Sequence, residues 1–221
     1  PADALRLPAE ARARALIDQQ LTAAGWVVQD RKDLNLFTGE GQAVREAVMA
    51  PGHGRADYLL YVDKKVVGAI EAKPEGTPLS GVEWQSAMYA TGLPEFHRSR
   101  AVEVGGRLPF VFEGAGSETH FTNGFDPEPR ARLLRGGFPQ PATLARIVRA
   151  AHDDPDNPTW RAKVRHLPPL DVAGLRDAQV DAIRGVERSL AAQQHSRSLV
   201  QMATGRSEEH TLNSSHGYIS Y

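Results

Sequence analysis

The fold is built around the segment GRADYLLYVDKKVVGAIEAK, residues 54–73. It contains two apolar runs, residues 58–62 and 66–70, joined by a polar turn at residues 63–65. Neither run alternates apolar with polar residues, so the pattern predicts a hairpin of two strands that are covered on both faces. Three charged residues lie at the ends of these strands away from the turn, namely Asp57, Glu71 and Lys73. Because an unpaired buried charge costs several kcal/mol, these three are candidate functional residues.

The register of the hairpin determines whether the three side chains meet. Glu71 and Lys73 share a face because strand side chains alternate. Asp57 lies on that face if it is opposite an odd-numbered residue of the second strand, whereas pairing with Ile70 would separate the two carboxylates. We predict the pairing of Asp57 with Glu71, with a bulged three-residue loop centred on Lys64.

Such a cluster favours metal-dependent phosphodiester chemistry. Two close carboxylates raise each other's pKa unless a cation lies between them, and oxygen ligands with room for water suit Mg²⁺. The metal would activate a water molecule, and the ammonium group of Lys73 would orient the nucleophile or stabilise the developing negative charge. The alternative is a surface hairpin in which Lys73 forms a solvated ion pair with Glu71 or Asp57.

The motif residues resemble a known nuclease family. Asp57 followed by Glu71-Ala72-Lys73 resembles the PD-(D/E)xK motif, and the whole pattern is similar to the amino-terminal part of the R subunit of type I restriction endonucleases. The resemblance implies an α/β restriction-endonuclease-like core, with a mixed central sheet flanked by helices. It also implies catalysis by Asp57, Glu71 and Lys73, and a metal held by Asp57, Glu71 and Ala72.

Gln85 and Tyr89 resemble the Q-x-x-x-Y motif of the RecB-like branch of this family. At positions i and i+4 they share one face of a predicted helix, from which they would contact the site or the DNA strand. The alternative is that Gln85 is exposed and Tyr89 packs in the core. Glu10, on the first predicted helix, is a candidate outlying carboxylate of the site, or simply an acid that favours the helix dipole.

The remaining elements follow from periodicity and from turn residues. We predict a nuclease domain over residues 1–151. Its helices are predicted at residues 8–24 and 141–151, and its further strands at 26–29, 43–50, 108–113 and 119–123. Glu46, which interrupts the apolar run of residues 43–50, is interpreted as a charge on an edge strand, with an approach to the site as the alternative.

The second part of the chain has a different character. Residues 152–170 are rich in Pro and Asp and predict a linker. Residues 171–205, with a helix at 174–194 and a strand at 198–203, resemble the truncated start of a RecA-like superfamily 2 helicase domain. In that resemblance Gln179 reads adenine, and Thr204 and Gly205 open the phosphate-binding loop. No Gly-Lys-Ser/Thr follows, so we expect no ATP hydrolysis by this chain.

Composition sets limits on the partners. The net charge of −1 requires any DNA contact to come from a local basic surface. One candidate is Trp160 with its basic neighbours, although this tryptophan could equally pack back onto the domain. The chain has no cysteine and no apolar run long enough to span a membrane, which fits a cytoplasmic protein. Residues 206–221 resemble a translated sequencing adapter or a disordered tail.

The sequence therefore predicts an Mg²⁺-dependent endonuclease domain that acts on duplex DNA. The resemblance further implies ATP dependence in the full-length relatives and a complex with methylation and specificity subunits. Two alternatives stay open: a catalytically silent scaffold that binds DNA or partner subunits, and a helicase fragment with a structural amino-terminal domain.

Overall fold

The structure is a computed structural model that describes residues 9–49, 55–73, 92–114, 118–191 and 198–201 of the chain. It divides into two compact units, Pro1–Thr159 and Trp160–Tyr221. The boundary falls inside the predicted linker. Within the described residues, no helix is long and apolar enough to cross a membrane.

The first unit is built on one mixed β-sheet. In the described part of this unit, seven strands are adjacent in chain order from β1 to β7. The strands β1 and β2 are parallel, as are β4 and β5, and the other neighbours are antiparallel. This arrangement confirms the predicted α/β class with a mixed sheet. The strands are β1 (Val27–Asp30), β2 (Gly41–Val48), β3 (Arg55–Val62), β4 (Lys65–Ala72), β5 (Phe110–Gly114), β6 (Thr119–Asn123) and β7 (Arg132–Leu133).

Two long helices cover one face of this sheet. They are α1 (Ala9–Ala23) and α3 (Pro141–Asp153), and a short helix, α2 (Glu95–Arg98), lies between them in the chain. Ile17 and Leu21 of α1 and Leu144 of α3 form one buried cluster with Phe110 and Phe112 of β5. We call the side of the sheet that carries this cluster the helix face. A second buried cluster contains Val44, Leu59, Tyr61, Val66, Ala69, Leu93 and Leu108.

The hairpin of β3 and β4 is buried on both faces, as its composition predicts. All residues from 56 to 62 and from 66 to 70 are buried. The turn, however, has two residues rather than the predicted three, because Asp63 and Lys64 both adopt positive φ angles of 50° and 64°. This geometry is typical of a tight hairpin turn whose twist matches that of the strands.

A β-bulge in β4 compensates for the shorter turn. Tyr61 pairs with Val66, whereas Leu60 pairs with Gly68, so Val67 is an additional residue in β4. Beyond the bulge the register is that of the prediction, with Tyr58 opposite Ile70. The predicted register therefore forms with a two-residue turn in place of the predicted three-residue loop. An extra residue in the strand shifts which residues lie opposite each other just as an extra loop residue does.

The second unit differs more from the sequence-based expectation. The predicted linker contains a helix, α4 (Trp160–Arg165), and the predicted long helix is α5 (Asp177–Ala191). Trp160 is 83% exposed, with the ammonium of Lys163 5.8 Å from the centre of its ring. Residues 198–201 form no strand, and the rest of that predicted strand lies outside the described residues. A strand requires a partner strand for its hydrogen bonds, and in the described residues this segment has none.

Candidate functional site

The candidate site lies where β3 and β4 separate. Tyr58 pairs with Ile70 as the last pair of the ladder, and extension of this register places Asp57 opposite Glu71. Beyond this point β4 stays with β5, since the Lys73 N–H donates to the Gly114 carbonyl at 2.8 Å. The Ala72 N–H instead donates to Oδ2 of Asp57, also at 2.8 Å. The Asp57 carboxylate therefore occupies the gap between the two strands, in the position of a missing strand partner.

Arg14 of α1 contacts Asp57 from the helix face. Its Nη2 lies 2.6 Å from Oδ1 of Asp57, and its Nη1 lies 3.3 Å from Oε1 of Glu46. Glu46 has a positive φ of 51° within β2, an unfavourable conformation for a residue with a side chain. The interpretation of Glu46 as an edge-strand charge is wrong, because β2 lies between β1 and β3 and the Glu46 carboxylate contacts the same guanidinium.

Burial has the largest effect on the ionisation of Asp57. It raises the pKa of this carboxyl group above the ordinary value. The hydrogen bond from Ala72 and the charge of Arg14 lower that pKa, whereas the negative charge of Glu71 raises it. Asp57 and Glu71 are thus close enough for the charge of one to act on the other.

Glu71 and Lys73 lie on the face opposite the helix face. Phe110 and Phe112 point to the helices, so Glu113, which follows them, points away. Glu71 pairs in parallel register with Glu113 and shares its side of the sheet. The ammonium of Lys73 lies 3.1 Å from Oε1 of Glu71, with both side chains partly buried. The ion pair that belongs to the alternative interpretation therefore forms, but between partly buried rather than solvated side chains, and Asp57 lies in the gap between it and Arg14.

Sequence reasoning missed Glu113. This residue is 2% exposed, and its Oε2 has no hydrogen-bond partner in the described part of the structure. Burial raises the pKa of Glu113, while the charges of Lys73 and His120 lower it and that of Glu71 raises it. Glu113 follows the apolar run of β5 just as Glu71 follows that of β4. This charged residue at the end of a buried strand is the sequence feature that would have identified Glu113 as a candidate site residue.

Sequence reasoning also missed the polar network that anchors α1 next to the site. Arg45 donates to Asp18 at 2.9 Å and to Asp30 at 3.0 Å, and the Tyr58 hydroxyl donates to Asp18 at 2.8 Å. Burial, followed by the hydrogen bond to Asp18, raises the pKa of Tyr58. A cavity of about 470 Å³ borders this network and Asp57. Its lining combines the basic residues Arg14, Arg31, Lys32 and Arg45 with the acidic residues Asp18, Asp30, Glu46 and Asp57.

The structure describes only some of the other predicted site residues. Gln85, Tyr89, Thr204 and Gly205 lie outside the described residues, as does the side chain of Glu10. The backbone of Glu10 belongs to α1, one helical turn before Arg14. In α5, Oε1 of Gln179 accepts a hydrogen bond from the Arg176 N–H at 2.9 Å. Gln179 thus satisfies a backbone donor at the start of its helix.

Side chains alone do not form a complete metal shell in the described residues. No group of three or more histidine, cysteine, aspartate or glutamate side chains is arranged there to hold a metal ion. The oxygen donors present at the strand ends are the carboxylates of Asp57 and Glu71 and the backbone of Ala72. Mg²⁺ commonly binds to one or two carboxylates and completes its shell with water and substrate phosphate, so this donor set fits that ion.

The burial of Glu113 predicts a pH dependence of stability. Because the folded-state pKa is raised, the native chain binds a proton here more readily than the unfolded chain, whose glutamate pKa is about 4.3. The resulting stabilisation is present below that unfolded value and is lost as the pH rises through the folded one. The free energy of unfolding of the wild type minus that of Glu113→Gln, measured by urea denaturation, should therefore be larger at pH 5 than at pH 8. The same difference at both pH values would contradict this.

Comparison with known proteins identifies one solved structure. No family model and no curated protein matches the chain. The matching structure is a fragment of a protein assigned as the HsdR subunit of a type I restriction enzyme from Vibrio vulnificus YJ016. It is 22% identical to this chain with a TM-score of 0.45. The match covers 92% of this chain and 36% of that one, so this chain spans about a third of its length.

Proposed function

We propose that the first unit is a divalent-cation-dependent DNA endonuclease domain of the PD-(D/E)xK type. One observation carries this proposal: the Asp57 carboxylate lies in the gap between β3 and β4, hydrogen-bonded to the Ala72 N–H at 2.8 Å and within the electrostatic influence of Glu71. The N–H and C=O groups of one strand residue point to the same side, so the Ala72 carbonyl faces this gap as well. Asp57, Glu71 and the Ala72 carbonyl would hold Mg²⁺.

The bound cation would supply a metal-activated water molecule and would stabilise charge on the phosphodiester. The residues of the chain would perform the remaining tasks. Lys73, held at the strand end by Glu71, would orient the attacking water and stabilise the negative charge that develops on the phosphate. Arg31 and Lys32, which border the neighbouring cavity, would contact the DNA backbone, since phosphate contacts position a protein on DNA.

The wider assembly is part of the same proposal. The motifs resemble those of the R subunit of type I restriction endonucleases, whose nuclease acts on duplex DNA together with an ATP-driven motor and methylation and specificity subunits. Residues 171–205 would then be the beginning of that motor, with Gln179, Thr204 and Gly205 in its nucleotide site. Glu10 of α1, and Gln85 and Tyr89 on their predicted helix, would support the nuclease site.

A second candidate function is a silent scaffold that holds DNA or partner subunits without cutting. The ion pairs favour it, because Arg14 and Lys73 already provide a cation for each of the two carboxylates. In a working nuclease a divalent cation must compete with both ion pairs. The two candidates therefore differ in one measurable property, namely binding of a divalent cation.

Titration of the purified chain with Mn²⁺ and Mg²⁺ by calorimetry tests the proposal. The wild type should bind a divalent cation, and Glu71→Gln should weaken that affinity at least about tenfold, equivalent to about 1.4 kcal/mol. The exposed Glu40→Gln, which removes the same charge elsewhere in the first unit, serves as the matched control and should bind as the wild type does. If the wild type binds no cation, or Glu71→Gln binds it equally well, the scaffold is the better description.

A further inference from the structure

Glu113 carries a buried carboxyl group whose hydrogen-bonding capacity is not fully used. It is 2% exposed, and within the described residues its Oε2 accepts no hydrogen bond. Buried polar atoms in native proteins are nearly always paired, since an unmade hydrogen bond to such a group costs about 1–3 kcal/mol. The Oε2 atom of Glu113 can therefore accept a hydrogen bond from a donor that reaches it in a different conformation of the site.

The neighbours of Glu113 identify that donor. Glu113 lies in register with Glu71 of β4 on one side and with His120 of β6 on the other. The charge of Lys73 lowers the pKa of Glu113, so the ammonium is within electrostatic reach of this carboxyl group. The lysine ammonium, which is bound to Glu71 in this structure, has three hydrogen-bond donors on a flexible stem.

Cation binding at Glu71 creates the need for a second acceptor. A carboxylate that turns its oxygens to a divalent cation can no longer hold an ammonium in the same way, and the two positive charges repel each other. Lys73 is only partly exposed, with 26% of its side-chain surface accessible, so losing its partner would leave a half-buried charge unpaired. Among the described residues, the nearest strand neighbour of Glu71 with a free carboxylate oxygen is Glu113.

We propose that Glu113 is a positioning residue that accepts the Lys73 ammonium when Glu71 takes up a divalent cation. The inference rests on the proposed function, because only a cation at Glu71 displaces Lys73. No covalent bond changes in this step, and Lys73 keeps its proton. The move carries the ammonium from a metal ligand to a neighbouring strand, where it stays beside the reacting phosphodiester instead of competing with the metal.

A double-mutant cycle tests this without measuring cleavage. Mn²⁺ affinity is determined by calorimetry for the wild type, Glu113→Gln, Lys73→Met and the double variant. Glu113→Gln should weaken Mn²⁺ binding about tenfold, a size typical of coupled neighbours, because Lys73 then has no anionic acceptor and continues to compete for Glu71. In the Lys73→Met background the same change should alter the affinity less than about threefold, because there is no displaced ammonium to accept.

Each outcome of the cycle is informative. If Glu113→Gln weakens Mn²⁺ binding equally in the wild-type and Lys73→Met backgrounds, Glu113 is a direct ligand or a general source of negative potential. That result would overturn the positioning role. An unchanged affinity in Glu113→Gln would overturn it as well. If the wild type shows no Glu71-dependent binding, both this inference and the proposed function fail, whereas Glu71-dependent binding without coupling refutes only this inference.

Two controls separate positioning from folding. Glu103→Gln removes an exposed carboxylate in the segment that precedes β5 and should leave Mn²⁺ affinity unchanged. Glu113→Gln is nearly isosteric and removes a buried charge, so its thermal midpoint should not fall. NMR of the Lys73 ammonium adds a direct readout. Addition of Mg²⁺, used in place of the paramagnetic Mn²⁺, should shift the ammonium resonance in the wild type and shift it less in Glu113→Gln.

Discussion

Replacing Asp57 with asparagine is expected to lower Mg²⁺-dependent cleavage of duplex DNA at least about 100-fold, the scale typical of losing one essential electrostatic group in an active site. The folded state should be retained. Asparagine keeps an oxygen that can accept the Ala72 N–H, and it removes a carboxylate whose pKa is raised mainly by burial. Its amide nitrogen cannot accept from Arg14, so the free energy of unfolding at pH 7 should fall by about 1 kcal/mol.

Nicking of supercoiled plasmid by the wild type and by Asp57→Asn measures this effect. Mn²⁺ calorimetry on the same samples records the loss of the Asp57 ligand even when turnover is slow. Asp57→Ala is the informative contrast, because it leaves the Ala72 N–H without its acceptor and Arg14 without its closest partner. It should lose activity and also about 1–3 kcal/mol of stability. Cleavage by Asp57→Asn within a few-fold of the wild-type rate would exclude Asp57 as a metal ligand.

The second large effect is expected at Gly68, where β4 approaches β5 closely. A Cβ atom at this position would lie 2.9 Å from Cβ of Phe110 and closer to the Phe110 carbonyl oxygen than the van der Waals contact distance allows. That oxygen belongs to the backbone of a central strand, so no rotamer change can relieve the clash. Gly68→Ala should cost about 3 kcal/mol, which lowers the thermal midpoint by about 6–12 °C for a chain of this size.

The separation of β4 and β5 matters for the site as well as for stability. Gly68 pairs with Phe110 three residues before Glu71 pairs with Glu113, so a wider gap at Gly68 would also move these two carboxylates apart. Gly185→Ala in α5 is the matched control, because a Cβ there meets nothing within 4 Å. It should leave the unfolding of the first unit unchanged and favour its own helix by up to about 1 kcal/mol. A Gly68→Ala variant as stable as the wild type would contradict the close approach.

Much of the fold was predictable because the signals are local. The runs 58–62 and 66–70 contain no polar residue at alternate positions, and they form strands buried on both faces. The predicted strand at residues 119–123 coincides with β6, and the predicted helices at 8–24 and 141–151 correspond to α1 and α3. Periodicity, glycine and proline positions determine such elements with little reference to the rest of the chain.

The hairpin shows which features the local sequence does not predict. The parity that places Asp57 opposite Glu71 was predicted from the chemistry of the charged residues, but the loop that produces it was not. The two positive φ angles at Asp63 and Lys64 and the extra residue Val67 are alternatives to a three-residue loop with the same parity. Sequence alone does not distinguish them, because both bring the same side chains to the same face.

The α/β class, the buried hairpin and the pairing parity of Asp57 and Glu71 follow from residue periods within one or two neighbouring elements. Which charges meet depends on the packing of elements that are distant in the chain. Arg14 reaches Asp57 across 43 residues because α1 packs on the helix face, and Glu113 lies beside Glu71 because β5 joins β4 in parallel register. These contacts depend on strand order and helix packing, which side-chain alternation along a single strand does not encode.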